Sequence, residues 1–236
     1  MSRPMLQDLP TNVPLKDNLL ADAIGLTLQE SGHEFLRSMQ ITVRDGCVLL
    51  LGDATGHGVG PALSVTQVRA MLRMAVRLGA GVDEAFRHMN DQLVQDLSSN
   101  RFVTCFLGMV DTTAHTLAYH SGGQGPILHR QAASGVWTRI EPTGMPLGIL
   151  PSRRTKPAQV IELASGDSMA LISDGVFEYE NPAGEMYGTD RVEDVLAALA
   201  AETAETQVLR LVDAVDGFAD KAPQNDDMTV VVLRRL

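Results

Sequence analysis

The sequence predicts an α+β fold, a four-layer α/β/β/α sandwich of two mainly antiparallel sheets flanked by helix pairs. Three observations lead there. Extended and helical patterns are segregated along the chain, in the order strands, helices, many strands, helices, strand, without a strict βαβ alternation. The strand candidates are short and punctuated by Gly, Pro and Asp, which favours antiparallel neighbours. The 236 residues are 44% hydrophobic, enough for one large domain or two small ones with a packed core.

Residues 1–20, with Pro4, Pro10 and Pro14 scattered among polar side chains, read as a tail or linker remnant, leaving 21–236 as the domain. Residues 38–43 and 47–52 are extended-chain formers separated by Asp45-Gly46, so a hairpin is expected to deliver Asp53 at a strand end. Residues 62–78 repeat apolar side chains at helical spacing through Leu63, Val65, Val68, Met71, Leu72 and Val76. After the break at Gly79 to Gly81, residues 82–97 do the same through Ala85, Phe86, Met89, Leu93 and Leu97. Met71, Met74 and Met89 fall at core spacings, so packing accounts for them. Gly60 and Pro61 join the Asp53 loop directly to the first helix. This helix pair is therefore expected to pack beside that loop and to form the surface through which activity is controlled.

A meander-like series of strand candidates follows, at 102–111, 116–120, 127–131, 136–141, 159–163 and 168–173, with Trp137 as a core or rim aromatic. Residues 189–200 and 206–219 read as a second helix pair, and 228–233 as a last, fully apolar strand.

Composition excludes several classes of function. A formal net charge of -10 with no block of Lys or Arg argues against nucleic acid and against an anionic membrane surface, while gathered acidic residues suit cations. Cys47 and Cys105 each sit in an apolar run, so no disulfide framework and no reactive thiol is expected, and a reducing cytoplasm fits. No apolar stretch is long enough to cross a bilayer, and the start lacks a signal-peptide pattern.

Three acidic turns are read as sharing one design, an apolar strand that ends in Asp followed by small residues: Leu49-Leu50-Leu51-Gly52-Asp53-Ala54-Thr55-Gly56-His57-Gly58, Ala170-Leu171-Ile172-Ser173-Asp174-Gly175 and Asn225-Asp226-Asp227-Met228-Thr229. An Asp before Gly is ordinarily a turn residue or cap. Three together ask for a shared explanation. Carboxylates gathered at strand ends repel one another unless a cation neutralises them, and hard ions such as magnesium or manganese prefer oxygen ligands. The run Gly56-His57-Gly58-Val59-Gly60-Pro61 before a helix also exposes backbone N–H groups to an anion.

These strings resemble a known family. Gly52-Asp53-Ala54-Thr55-Gly56-His57-Gly58 is similar to the GDVSGHG motif of the protein phosphatase 2C superfamily, in the bacterial branch typified by SpoIIE and RsbU. The match continues in order. His120-Ser121-Gly122-Gly123-Gln124-Gly125-Pro126 resembles its N-A-G-H-N-P loop, and Met145-Pro146-Leu147-Gly148 its P-L-G turn. Ser173-Asp174-Gly175-Val176-Phe177-Glu178 resembles T-D-G-V-T-E, and Asp226-Asp227-Met228-Thr229 the closing D-D-x-T.

The resemblance implies a metal-dependent phosphatase acting on phosphoserine and phosphothreonine, in which two divalent cations, Mn2+ or Mg2+, activate water against the phosphoester. It assigns Asp53 as the bridging ligand, the Ala54 carbonyl beside it, and Asp174 and Asp226 as completing one ion's shell, with Asp227 a neighbour. The branch also carries an upstream G-G-D whose Asp serves the second ion. Here that stretch reads Ser31-Gly32-His33-Glu34-Phe35. Glu34, His33 or no ligand at all are the alternatives, and a carboxylate suits a hard ion better than imidazole, which makes Glu34 the expected ligand. His57 reads as a hydrogen-bonded loop residue, and His88 and His115 as exposed and ordinary. The substrate implied is a STAS-type anti-sigma-factor antagonist, and the tail is consistent with an upstream sensor or receiver domain. The rivals are a catalytically degenerate binding module of the same fold and, one residue out of register, the D-x-G-x-G box of a histidine-kinase-type ATPase.

Overall fold

A computed structural model gives the fold for residues 24–31, 38–56, 59–98, 100–152 and 156–236. The expected tail, His33, Glu34 and His57 lie outside these described residues. The first helix pair is α1 (Val59–Arg77) and α2 (Val82–Asp96), the second α4 (Thr189–Ala198) and α5 (Ala204–Ala219), and a single turn forms α3 (Asp174–Phe177). One sheet runs in the order β1 (Ile24–Ser31), β10 (Met228–Arg235), β9 (Ser168–Ile172), β6 (Ile127–Arg130), β7 (Trp137–Ile140). The other runs β2 (Ser38–Val43), β3 (Gly46–Ala54), β4 (Val103–Asp111), β5 (Thr116–Gly122), β8 (Gln159–Glu162). All eight strand pairings are antiparallel.

The period of two along each strand sorts side chains into layers. Cys47, Leu49 and Leu51 of β3 join Phe106, Val110, Leu117 and Tyr119 of the same sheet, and Ile127, Met169, Leu171, Val231 and Leu233 of the other, in a core between the sheets. Val48 and Leu50, on the opposite face of β3, pack with Val103, Cys105 and Leu107 against Val65, Val68 and Leu72 of α1 and Ala85, Met89 and Leu93 of α2. Ala170, Ile172, Val230 and Val232 pack against Val192 and Leu196 of α4 and Val208, Leu211 and Val215 of α5. Three cores separate four layers, the α/β/β/α order expected. At about 1.5–3 kcal/mol for each fully buried Leu, Ile, Val or Met, these three cores hold the sandwich closed.

Four details differ from the sequence reading. β1 is a strand that hydrophobic patterning did not yield, and it closes the first sheet against β10 from Ile24↔Arg235 to Ser31↔Met228. The supposed meander changes sheets: β4 and β5 form a hairpin in one, β6 and β7 in the other, and β8 returns to the first. Periodicity reports that a strand is half-buried, not which sheet it joins. Leu63 and Met74 are 64% and 51% exposed, because the buried stripe of α1 runs through Ala62, Val65, Val68 and Leu72, and both side chains point away from it. The Asp45-Gly46 signal places the hairpin, yet the turn is Arg44-Asp45, with Val43 paired to Gly46. Gly46 is needed for another reason: a Cβ there would overlap the Val110 carbonyl of β4.

His88 and His115 are exposed, and Trp137 is half-buried against the core under α4 and α5, as read from the sequence. Among the described residues no helix is long and apolar enough to cross a membrane.

Candidate metal centre

Asp53 belongs to the row of β3 that faces the space between the sheets, two residues beyond Leu51, so the pleat aims it into the open end of the sandwich. Asp174 is the first residue of α3, where β9 ends. Asp226 precedes β10 by two residues. β9 and β10 are neighbours in one sheet and β3 belongs to the other, so the site is assembled across the sandwich. A carboxylate oxygen from each of Asp53, Asp174 and Asp226 lies within 4.8 Å of the other two. Asp53 and Asp174 are half-buried and Asp226 is exposed. Three carboxylates at this spacing repel one another, and a divalent cation relieves that repulsion, so the donor set fits a hard, oxygen-liganded ion. Asp227 stands outside the group of three, and Ala54, the buried last residue of β3, pairs with Val103.

The turns that carry these carboxylates are held by side chains that the sequence reading did not single out. The Ser173 hydroxyl accepts from the Thr229 N–H at 2.8 Å and donates to the Asp227 carbonyl at 3.1 Å, joining the Asp174 and Asp226 turns. Gly175 completes that junction, because a Cβ would overlap the Asp227 carbonyl oxygen. The Asp174 carboxylate accepts from the Gly175 N–H at 3.0 Å, and that of Asp226 from the Asp227 N–H at 2.7 Å. On the other sheet Thr104, the register partner of Asp53, places its hydroxyl 3.3 Å from the Asp53 carbonyl oxygen and 3.2 Å from Oε1 of Gln124. The Gln124 Nε2 donates to the Ile172 carbonyl at 3.1 Å. A signal for Thr104 and Ser173 was available, since Thr104 is a polar residue within the apolar strand β4 and Ser173 follows directly on apolar β9; nothing local marks Gln124.

The helix pair packs beside this loop, as expected. Thr55, just past Asp53, exchanges hydrogen bonds with Phe102, its N–H donating to the Phe102 carbonyl at 3.1 Å and its hydroxyl accepting from the Phe102 N–H at 3.2 Å. From α2, buried Asn90 donates to the Leu150 carbonyl at 2.9 Å and to the Ser152 hydroxyl at 2.8 Å, and accepts from the Gly148 N–H at 3.0 Å. Asp83 accepts from the Ala158 N–H at 2.8 Å and sits 2.7 Å from Nε2 of buried His120, on whose ring Phe86 stacks.

Solved structures share this architecture. The RsbU and RsbW domains of Rv1364c from Mycobacterium tuberculosis match with a TM-score of 0.71 at 26% identity, over 90% of this chain and 60% of that one. The PP2C phosphatase domain and regulatory fragment of SpoIIE from Bacillus subtilis gives a TM-score of 0.73 at 18% identity, over 89% of this chain and 63% of that one, a likeness of fold. The chain thus has the fold of a PP2C-type domain. Within that class it belongs to the SpoIIE family, since residues 44–236 match the family described as Stage II sporulation protein E (SpoIIE). The phosphoserine phosphatase RsbU of Bacillus subtilis (strain 168) is 22% identical over 227 residues, which is 96% of this chain and 66% of that relative. The chain therefore spans less than two thirds of each of these three proteins.

Proposed function

We propose that this domain removes phosphate from phosphoserine or phosphothreonine on a bacterial regulatory protein, a STAS-type anti-sigma-factor antagonist, using two divalent cations, Mn2+ or Mg2+. The observation that carries the reading is the convergence of Asp53, Asp174 and Asp226, from both sheets, in a domain of the SpoIIE family. Bound divalent cations supply charge neutralisation and an activated water. The chain's own residues supply the oxygen donors: the carboxylates of Asp53, Asp174 and Asp226 and the carbonyl of Ala54.

Glu34 is assigned to the second ion from the sequence, and the described backbone on either side supports the assignment. Ser31 pairs with Met228, two residues past Asp226, and Ser38 pairs with Leu51, two residues before Asp53. The chain between them links the two strand ends that flank the carboxylate cluster. A thiol nucleophile finds no support, because burial pushes both Cys47 and Cys105 up to about 12. A degenerate module finds none either, since all three carboxylates come together. The longer relatives leave room for a sensor or receiver domain acting on this one, and the reading places the domain in the cytoplasm.

The test is hydrolysis of p-nitrophenyl phosphate and of a phosphorylated STAS protein, with manganese and with excess chelator. Full activity in chelator would overturn the metal reading. Hydrolysis of the small ester with no release from the STAS phosphoserine would overturn the substrate.

A further inference from the structure

Gln124 occupies the point at which the chain leaves one sheet for the other, between β5, which ends at Gly122, and β6, which begins at Ile127. Its side chain is 6% exposed and both ends of its amide are used. Oε1 lies 3.2 Å from the Thr104 hydroxyl, and Nε2 donates to the Ile172 carbonyl at 3.1 Å. Thr104 is the register partner of Asp53, whose carbonyl oxygen is 3.3 Å from the same hydroxyl. Ile172 ends β9, two residues before Asp174. The Gln124 carbonyl, in turn, accepts from the hydroxyl of fully buried Ser121, which fixes the root of the side chain. One amide therefore links β4, the neighbour of the strand that carries Asp53, to β9, the strand that leads into Asp174.

We propose that Gln124 is a positioning residue that sets the separation of Asp53 and Asp174, and with it the affinity of the site for divalent cations. The two aspartates belong to different sheets, and the sheets meet through apolar side chains that fix spacing without direction. A hydrogen-bonded strut at the open end supplies direction. The bond to Ile172 is buried and the one to Thr104 part-buried, and away from water a polar link is strong when made and costly when broken. A ligand set held by such a strut is preorganised; without it the carboxylates, which repel one another, relax apart. This inference rests on the metal reading of the Asp53 cluster.

The experiment titrates manganese by calorimetry into the wild-type chain and into Gln124→Met, Thr104→Val, the double variant and Leu196→Ala, with the melting temperature of each metal-free protein measured alongside. Gln124→Met keeps the volume and removes both bonds. Loss of an outer-shell partner weakens metal binding by about 10–100-fold, the effect expected for Gln124→Met. Thr104→Val should weaken it less, and the double variant should be no worse than Gln124→Met, because both act through one link. Leu196, fully buried on the inner face of α4, reports stability alone: its truncation should lower the melting temperature with manganese affinity unchanged. Wild-type affinity in Gln124→Met, or a loss of affinity in Leu196→Ala that matches it at equal loss of melting temperature, would overturn the inference. Should Gln124→Met not fold, wild-type affinity in Thr104→Val overturns it and reduced affinity supports it. No manganese binding by the wild-type chain would instead overturn the metal reading itself, so the two failures are distinguishable.

Discussion

Asp174 begins a helix of one turn and has Asp53 and Asp226 within 4.8 Å, so its charge costs stability in the metal-free chain and is needed once a cation binds. Asp174→Asn should therefore lower phosphatase activity about 10³-fold, the size of several kcal/mol of lost charge stabilisation. Its metal-free melting temperature should hold or rise, because one of three crowded charges is gone. Steady-state kinetics with a melt of each protein checks both halves, and a variant that keeps its rate would remove Asp174 from the site. The cysteines give a second expectation. With Cys47 and Cys105 pushed up to about 12 from an ordinary value of 9.0, the stability contributed by the two protonated thiols is intact below pH 9. It is lost as pH rises from 9 towards 12, since the unfolded chain ionises first. Thiol labelling at pH 8 should accordingly be slow in the native chain and fast in denaturant; fast native labelling of either cysteine would contradict their burial. At this scale Asp53 and Asp174 were legible in the sequence because each follows an apolar strand and precedes small residues, whereas Asp226 comes before its strand, β10, rather than at the end of one. Thr104 and Ser173 were marked only as polar residues beside apolar ones and Gln124 not at all, since their roles depend on which strands become neighbours.

The helix pair α1–α2 does more than cover a sheet. Through Asn90 it holds Gly148, Leu150 and Ser152 and through Asp83 Ala158, and Leu147 bonds reciprocally with Val103 at the start of β4, beside the register pair Asp53–Thr104. Asn90→Ala removes three hydrogen bonds from a buried side chain and leaves the Gly148 N–H and the Leu150 carbonyl without that partner. The cost should be about 1–3 kcal/mol, and each kcal/mol lowers the melting temperature by about 2–4 °C in a chain of this size. An unchanged melt would mean that α2 does not hold this loop. Gly175→Ala tests the other side of the site: its Cβ would meet backbone of the Asp226–Asp227 turn, which cannot yield as a side-chain tip can. Manganese binding should fall with the fold retained, and calorimetry paired with circular dichroism reads the two separately. The helices themselves were legible, with ends within a few residues, because their apolar stripes recur at 3.6-residue spacing. Which side chains within them are exposed was less so. Leu63 and Met74 look apolar enough for the core, and only the packed geometry shows them facing outward.

For the whole molecule, the order of strands and helices was enough to predict two antiparallel sheets between helix pairs, but not the exchange of strands between sheets. That exchange is what builds the site. A simple meander would have kept Asp53 apart from Asp174 and Asp226. Because β9 and β10 lie in the sheet opposite β3, Asp53 meets two aspartates more than a hundred positions away at one open end. The folded chain therefore presents a donor set that the unfolded chain lacks, and by mass action a cation that binds it must stabilise the fold. Manganese at about 100 times its dissociation constant adds about 2.7 kcal/mol. At about 2–4 °C per kcal/mol, the melting temperature should rise by about 5–10 °C, and excess chelator should reverse the rise. In Asp226→Asn the rise should shrink towards zero while the metal-free melt stays at or above wild type, because the same carboxylates that gain from the cation repel one another without it. Differential scanning calorimetry across a manganese series reads both quantities at once. An absent shift in the wild-type chain would sink the claim that this end of the sandwich is a metal centre, and an equal shift in Asp226→Asn would put the cation somewhere other than among these three aspartates.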